Sequence, residues 1–177
     1  MDAMNELRIR RGGPADVSAV LALLDGAVTW LVEQGHPDQW GTEPLSSVPQ
    51  RVALTRTMAE GGSLHLAVAG DEVAGAMALG AAPDYVTPAD GPELYVDLLV
   101  TARAYAGLSI GGRLLDHARD LARARGLPRL RVDCFAGDDG GLVRYYERQG
   151  FTRTDPFEVK LKSGKVWAGQ VLEQRLG

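Results

Sequence analysis

One strand–turn–helix unit in the middle of the chain constrains the fold more than any other stretch. Residues 93–101 predict a strand, because Leu94, Val96 and Leu98 lie on one side while Glu93, Tyr95 and Asp97 lie on the other. A glycine-containing turn follows, and residues 109–125 then repeat apolar side chains at the spacing of an amphipathic helix. A strand joined by a short turn to a helix that must bury one face is a building unit of α/β domains.

The other segments predict further strands and helices around this unit. Residues 7–11 alternate as a strand, and Pro14 suits the first turn of a helix that ends near Gly35. No apolar run approaches the ~18 residues that span a bilayer, and the opening residues lack the apolar core of a signal peptide. No linker divides the chain, so we predict a single domain over residues 1–177. The remaining predicted elements are helices over 48–60 and 141–149, and strands over 63–69, 73–80, 129–135, 157–161 and 166–176.

Charge and cysteine content exclude several classes of function. The net charge of −4 argues against general nucleic-acid binding, which depends on Lys and Arg side chains that neutralise phosphates. Cys134 is the single cysteine, which excludes an intrachain disulfide and a cysteine-rich zinc site. We therefore predict the reducing cytoplasm as its compartment. His36, His65 and His117 lack the spacing of metal ligands, so we predict no metal.

The turn before the central helix carries the clearest chemical signal. Gly107, Gly111 and Gly112 allow backbone N–H groups to converge, and the helix N-terminus adds partial positive charge. This combination favours a phosphate or pyrophosphate, although a tight turn that binds nothing fits these glycines equally well. Neither G-x-G-x-x-G nor G-x-x-x-x-G-K occurs, so the chain lacks the signatures of dinucleotide and P-loop nucleotide binding.

The same turn also matches the nucleophile elbow of serine hydrolases. Residues 107–111 read G-x-S-x-G, and that fold requires a histidine later in the chain than the serine. The only later histidine, His117, lies on the same predicted helix as Ser109 and cannot fold back onto it. We therefore interpret this match as coincidental.

Two motifs resemble those of the GNAT superfamily of N-acetyltransferases. Residues 106–111 read A-G-L-S-I-G where the family has [Q/R]-x-x-G-x-[G/A], and residues 145–151 read Y-Y-E-R-Q-G-F where it has L-Y-E-x-x-G-F. The chain departs from the pattern at Ala106, where the family has Arg or Gln, and at Ser109, where it has Gly. The resemblance covers essentially the whole chain. It implies an α/β fold with a mixed, mostly antiparallel central sheet flanked by helices, and a splay between the two central parallel strands.

The resemblance also implies acetyl-CoA as co-substrate, with no metal. Backbone N–H groups of residues 108–113 would hold the pyrophosphate, and the strand edge at residues 99–101 would pair with the pantetheine. Ser109 then needs an ordinary φ or a modest strain. The implied cofactor-binding residues are Leu99, Val100, Thr101, Ala106, Gly107, Leu108, Ser109, Ile110, Gly111, Gly112, Arg113, Asp139 and Tyr146.

Direct attack of an amine on the thioester requires a base and benefits from an acid for the departing thiolate. Tyr146 lies where the family has that acid, and its alternative role is that of a packed aromatic side chain. For the base we favour Asp97, then Glu93, with Asp133 as a third candidate. A solvated or salt-bridged strand face explains these carboxylates equally well.

The acceptor is suggested only by charge and by the resemblance. Trp30, Trp40 and Tyr95 are the predicted substrate contacts, and core packing also explains Trp30. Acidic residues near them favour a small cationic amine. We predict no nucleic-acid or membrane partner; a homodimer is possible, with the last strand as the element that pairs or swaps between subunits. Protein or peptide N-terminal acetylation and a non-catalytic acyl-CoA sensor remain open. The acidic candidates are Asp38, Glu43, Glu93 and Asp97.

Overall fold

The computed structural model describes residues 7–177, so the first six residues, on which part of the signal-peptide prediction falls, lie outside the described residues. The central unit forms as predicted, with a strand at Leu94–Thr101 and a helix at Ile110–Ala124. In chain order the described elements are β1 Leu7–Arg11, α1 Val17–Glu33, α2 Pro49–Glu60, β2 Leu64–Ala69, β3 Glu72–Gly80, β4 Leu94–Thr101, α3 Ile110–Ala124, β5 Arg129–Phe135, α4 Gly141–Arg148, β6 Thr152–Lys160 and β7 Val166–Arg175. Short 3-10 turns lie at Pro14–Asp16, Leu45–Ser47 and Arg103–Tyr105.

The strands form a seven-stranded mixed sheet in the order β1-β2-β3-β4-β5-β7-β6. The pairs β1–β2, β2–β3, β5–β7 and β6–β7 are antiparallel, whereas β4 and β5 are parallel. Parallel pairing runs from Leu94 opposite Leu130 to Val96 opposite Val132. The predicted mixed, mostly antiparallel sheet with two central parallel strands is therefore confirmed.

The chain divides into two compact units that interleave along the sequence. The first contains the residues up to Leu79 and Leu98–His117, and the second contains Gly80–Asp97 and Ala118–Gly177. The boundary passes through β4 and through α3. Each unit is described below by itself.

The first unit buries α1 against β2 and the second half of β4. Val20 and Leu24 recur on one helix face and join a cluster with Leu64, Leu66 and Val100. Strand β2 is buried along most of its length, which explains its nearly continuous run of apolar residues. The spacing of apolar residues in the sequence thus specified the contact face of this helix.

The prediction that no segment is apolar enough to span a membrane was wrong for one helix. Residues Pro14–Glu33 form a 20-residue stretch with a mean hydropathy of 1.6, which is long and apolar enough to cross a membrane by length and composition alone. The reason is that the exposed positions of this stretch are mostly Ala, Gly, Ser and Thr, with Glu33 as the charged residue among them. Seven residues of α1 are buried, as in the core helix of a globular protein: Val17, Val20, Leu21, Leu23, Leu24, Val28 and Leu31.

In the second unit, β7 lies between β5 and β6, so both of its edges are paired. The last strand therefore offers no edge to a second copy, contrary to the expectation for a homodimer; β6 is the edge strand. Strand β6 begins at Thr152 rather than at the predicted Phe157. Its early part was missed because it is exposed and contains Pro156, which an edge strand tolerates beside an irregularity in register.

Gly75 allows the first turn of α3 to approach β3 closely. A Cβ atom at this position would lie 2.8 Å from Cγ2 of Ile110 and 3.2 Å from Cδ1 of Leu114. Because both neighbours are buried branched side chains, they have little room to move. The glycine thus fixes where the helix begins within the first unit.

We expect Gly75→Ala to lower the free energy of unfolding by about 1–3 kcal/mol, because the added methyl overpacks this contact. Gly26→Ala is the matched control, since Gly26 lies in α1 with nothing within 4 Å of the added Cβ. It should instead raise the free energy of unfolding by about 0.5–1 kcal/mol. Urea unfolding of both variants measures the difference, and equal effects would contradict the packing argument.

Candidate active site

The turn before α3 has the conformation that its glycine motif requires. Gly107 has φ +89° and Ser109 has φ +55°, so both lie in the left-handed region. The Tyr105 hydroxyl donates a hydrogen bond to Oε2 of Glu72 at 2.5 Å and ties the turn to β3. Ser109 therefore takes the strained alternative, because a residue with a side chain rarely adopts this left-handed conformation.

The backbone donors of this turn fall into two groups. The N–H of Leu108 donates to the Tyr105 carbonyl at 3.2 Å, and the N–H of Arg113 donates to the Ser109 carbonyl at 3.0 Å. Residues 110–112 form the first helical turn, whose N–H groups have no acceptor within the helix. Within the predicted donor range 108–113, the N–H groups of Leu108 and Arg113 already donate to backbone carbonyls. The N–H groups between them are the ones left for the predicted contact with a pyrophosphate.

The first unit contains two of the predicted acceptor contacts and the predicted pantetheine contacts. The Arg103 guanidinium lies 3.9 Å from the centre of the Trp30 ring, and Trp40 packs against the apolar cluster of this unit. Val100 is buried, while Leu99 and Thr101 are partly exposed. A binding role for these five residues stays a prediction.

In the second unit, Glu93 is held in an ion pair. The Arg131 guanidinium contacts both carboxylate oxygens of Glu93, at 2.8 Å from Nη2 to Oε1, and its Nη1 donates to the Thr87 carbonyl at 2.9 Å. Both charged side chains are largely buried. This is the salt-bridged alternative that the sequence left open, so Glu93 is corrected from second base candidate to ion-pair partner.

Tyr95 is fully buried, so it is corrected from a predicted substrate contact to an internal hydrogen-bond donor. Its hydroxyl donates to Oδ2 of Asp133 at 2.5 Å. The alternation of β4 correctly placed Tyr95 on the face of Glu93 and Asp97. It could not show that Val86, from the loop before β4, packs over the ring.

Asp97 is the carboxylate of this face that reaches solvent. Burial of its carboxyl group and, secondly, the charge of Asp133 raise the pKa of Asp97 to about 7. The residue counts as exposed by surface area, so protein atoms crowd the carboxyl without covering it. The absence of a side chain at Gly80 makes room, because a Cβ there would lie 3.1 Å from Oδ2 of Asp97. A carboxylate with a pKa near neutrality is suited to general-base work.

Asp133 is half-buried, and its position depends on three neighbours. Burial raises the pKa of Asp133, while hydrogen bonds from Tyr95 and Tyr85 and the charge of Arg131 oppose that rise. The Tyr85 hydroxyl is 3.5 Å from Oδ2 and the Tyr95 hydroxyl is 2.5 Å away, so Tyr95 is the stronger donor.

Tyr146 is buried within α4, with its ring edge-on to Tyr145 and Phe151 at centroid distances of 5.2 and 5.8 Å. Burial holds the pKa of Tyr146 well above its ordinary value, so the hydroxyl keeps its proton at neutral pH. Gly150 closes the motif at φ +98°, and a Cβ there would lie 2.8 Å from Nε2 of Gln174. The motif therefore has a packing role beside any role in catalysis.

Asp139 caps α4, although from one residue earlier than an N-cap. The N-cap position is Gly140, with φ +70°, and Oδ1 of Asp139 accepts a hydrogen bond from the N–H of Gly141 at 2.9 Å. The carboxylate thus caps the first turn of the helix from the residue before the N-cap position. A contact with the cofactor stays a prediction.

Arg131 is the site residue that sequence reasoning missed. The signal was present, because Arg131 and Asp133 alternate with Leu130, Val132 and Cys134 in a strand that is otherwise buried. A charged residue on an inward face needs a partner, and the partner lies on a strand distant in sequence. Pairing of β4 with β5 was needed to identify Glu93 as that partner.

Among residues 7–177, no group of three or more His, Cys, Asp or Glu side chains is arranged to hold a metal ion. His65 and His117 lie side by side in the first unit, with 3.3 Å between Nδ1 and Nε2. Cys134 is buried and burial raises its thiol pKa to about 12, so it is no nucleophile at neutral pH.

A family model matches residues 26–151, and its family is described as the acetyltransferase (GNAT) family. This match covers well over half of the 177 residues. The chain belongs to the GNAT acetyltransferase family. It is therefore an acyltransferase of the GNAT type, and the resemblance seen in its two motifs is confirmed.

Solved structures share this fold at low sequence identity. A Salmonella typhimurium protein described as an acetyltransferase with its cofactor acetyl-CoA is 20% identical, with a TM-score of 0.67 over 98% of this chain and 95% of its own. A protein described as a phosphinothricin N-acetyltransferase is 21% identical, with a TM-score of 0.70 over 97% and 99%. A ribosomal-protein-alanine N-acetyltransferase from Brucella melitensis is 22% identical, with a TM-score of 0.67 over 96% and 99%. No curated protein matches the sequence significantly.

We expect Ser109→Gly to raise the free energy of unfolding by about 1 kcal/mol, because glycine adopts φ +55° without the steric cost of a side chain. Ser163→Gly is the control, since Ser163 is an exposed turn residue outside the left-handed region. It should be neutral or slightly destabilising. Thermal unfolding compares the two, and a gain shared by both variants would rule out strain at Ser109.

Proposed function

We propose that this chain transfers the acetyl group of acetyl-CoA to the primary amine of a small, cationic acceptor, by direct attack in a ternary complex. The observation that carries the proposal is the turn at 107–112. Gly107 and Ser109 both lie there in the left-handed region, and strained backbone of this kind is concentrated at sites that bind ligands.

The proposed contacts with acetyl-CoA follow from this turn. The N–H groups of residues 109–112 and the positive end of α3 bind the pyrophosphate. Loss of the family's basic side chain at Ala106 is tolerable, because backbone donors do not depend on it. The strand edge at Leu99, Val100 and Thr101 pairs with the pantetheine, and Asp139 and Tyr146 complete the proposed set.

In the proposed reaction, acetyl-CoA supplies a thioester whose carbonyl carbon is attacked by the amine. Asp97 accepts the proton that the ammonium must lose, directly or through a water. Backbone N–H groups of β4 stabilise the negative charge on the carbonyl oxygen. The new C–N bond forms as the C–S bond breaks, and the Tyr146 hydroxyl donates its proton to the leaving thiolate.

A cationic acceptor is proposed because carboxylates are present on exposed segments. Asp38 and Glu43 lie on the loop after α1, near Trp40 in sequence, and Asp97 is exposed on β4. Glu93 no longer contributes, since Arg131 neutralises it. Peptide N-termini are the second candidate, because one structural neighbour is a ribosomal-protein-alanine N-acetyltransferase. A cytoplasmic location, consistent with the free thiol of Cys134, belongs to the same proposal.

Calorimetric titration with acetyl-CoA and a panel of amines and peptides test this proposal. We expect micromolar one-to-one binding by the native chain and by Tyr146→Phe, because the phenylalanine keeps the ring packing. Turnover of Tyr146→Phe should fall by roughly 10²-fold or more, because the departing thiolate loses its proton donor. Tyr145→Phe, which removes a neighbouring hydroxyl, should be nearly unaffected.

Absence of binding at millimolar acetyl-CoA would overturn the cofactor proposal. An unchanged rate for Tyr146→Phe would remove Tyr146 as the acid. Binding without turnover of any amine or peptide would instead favour an acyl-CoA sensor, and turnover restricted to peptides would favour the second acceptor class.

The pH dependence of kcat/KM tests Asp97 as the base. A base must be unprotonated to accept a proton, so the rate should be low in acid and rise through a pH of about 7. Asp97→Asn should remove this rising limb and lower kcat/KM by roughly 10²-fold or more. Asp155→Asn, at an exposed position of β6, should keep the native profile. The same limb in native and Asp97→Asn chains would assign it to the amine substrate.

A further inference from the structure

Five polar side chains of the second unit form a continuous row on one face of β4 and β5. Glu93 pairs with Arg131, whose guanidinium carbon lies 5.4 Å from the centre of the Tyr95 ring. The Tyr95 hydroxyl donates to Asp133, and the charge of Asp133 acts on Asp97. The row begins at the buried Glu93–Arg131 ion pair and ends at the exposed carboxylate of Asp97.

Strand pairing explains why these residues meet. Tyr95 is opposite Arg131, and Val96 is opposite Val132, where the recorded parallel pairing stops. Asp97 and Asp133 are the next residues on each strand, and alternation places them on the face of Tyr95 and Arg131. The two carboxylates therefore face the same side at the point where the strands cease to pair.

We propose that Tyr95 is a positioning residue for acetyl transfer: its buried hydroxyl holds the Asp133 carboxylate beside Asp97, so that Asp97 can serve as the base. This inference rests on the proposed function, which assigns that role to Asp97. Tyr95 itself contacts no substrate, because none of its surface is exposed.

The geometry restricts Tyr95 to this arrangement. Val86 and Val171 pack against the ring in one buried cluster, and the hydroxyl lies 2.5 Å from Oδ2 of Asp133. Such a short bond to a carboxylate is charge-assisted and stabilises the ionised form. A phenylalanine at position 95 would pack equally well, so packing alone does not account for the hydroxyl group of Tyr95.

The directions of the pKa shifts also support an effect of Tyr95 on Asp97 through Asp133. The Tyr95 hydrogen bond opposes the rise in the pKa of Asp133, and the Asp133 charge contributes to the raised pKa of Asp97. The titratable and charged groups that interact with Asp133 are Tyr95 and Asp97 on β4, Tyr85 on the preceding loop, Arg131 and Cys134 on β5, and Tyr146 on α4. Arg131 is the cation in that set.

The sign of the effect of Tyr95→Phe follows from these contacts. Without the hydroxyl, the pKa of Asp133 rises further, so a smaller fraction of its carboxylate is ionised at a given pH. The negative charge beside Asp97 is then reduced, so the pKa of Asp97 falls. The rising limb of kcat/KM should move to lower pH, and its plateau should fall because a less basic carboxylate is a weaker general base.

We would measure the titration of Asp97 and Asp133 by carbon-13 NMR of the Asp carboxyl groups in the full chain, together with the pH profile of kcat/KM. The Asp97→Asn and Asp133→Asn variants assign the two signals. In Tyr95→Phe we expect the Asp97 midpoint to fall by about half a pH unit or more and the Asp133 midpoint to rise. Tyr145→Phe, which also removes a tyrosine hydroxyl from this unit, should leave both midpoints in place.

A double variant separates positioning from packing. In the Asp133→Asn background the Asp97 midpoint should already be low, and adding Tyr95→Phe should shift it no further. Unchanged midpoints in Tyr95→Phe, or an equal shift with and without Asp133, would overturn the inference. If no amine is acetylated, the proposed function fails, but the NMR midpoints still decide whether Tyr95 acts on Asp97 through Asp133.

Discussion

Parallel pairing of β4 with β5 is the constraint on which the chemistry of the second unit depends. It brings Tyr95 opposite Arg131 and places Asp97 and Asp133 on a shared face. Two carboxylates on one strand face repel each other, and a buried one is costly unless it is hydrogen-bonded. The Tyr95 hydroxyl and the Arg131 guanidinium meet that requirement for Asp133, while Asp97 stays exposed and its pKa is raised to about 7. One pairing thus determines which carboxylate is held inside and which reaches solvent.

The first unit depends on a different constraint, the close approach of α3 to β3 at Gly75. That contact fixes Ile110, the first residue of the helix, and the Tyr105–Glu72 hydrogen bond fixes the segment before it. Between these two anchors Ser109 has no freedom to relax from φ +55°. Strain of about 1–2 kcal/mol at one residue persists only when the surrounding contacts over-determine it. The turn therefore holds Ser109 in the left-handed region, at the position where the family motif has glycine.

Sequence reasoning succeeded where one periodic segment faced one environment. The helix α3 and the strand β4 were predicted within one residue of their ends, because their apolar spacing matches a single buried face. It failed where two segments distant in sequence cover each other. Tyr95 was expected to contact substrate, yet Val86 covers its ring, and Glu93 was expected to be a base, yet Arg131 neutralises it. The start of β6 was missed because an exposed edge strand has no apolar pattern to detect.

The sequence by itself determined the elements, their order and the family, because apolar periodicity, turn residues and the two motifs are local properties of the chain. It also restricted the carboxylates of β4 to one face, since alternation is a property of any strand. Only the tertiary structure decided which of them is ion-paired, which is exposed and which hydroxyl supports Asp133. Those outcomes depend on burial and on charges from other strands, and neither can be read from a residue's neighbours along the chain.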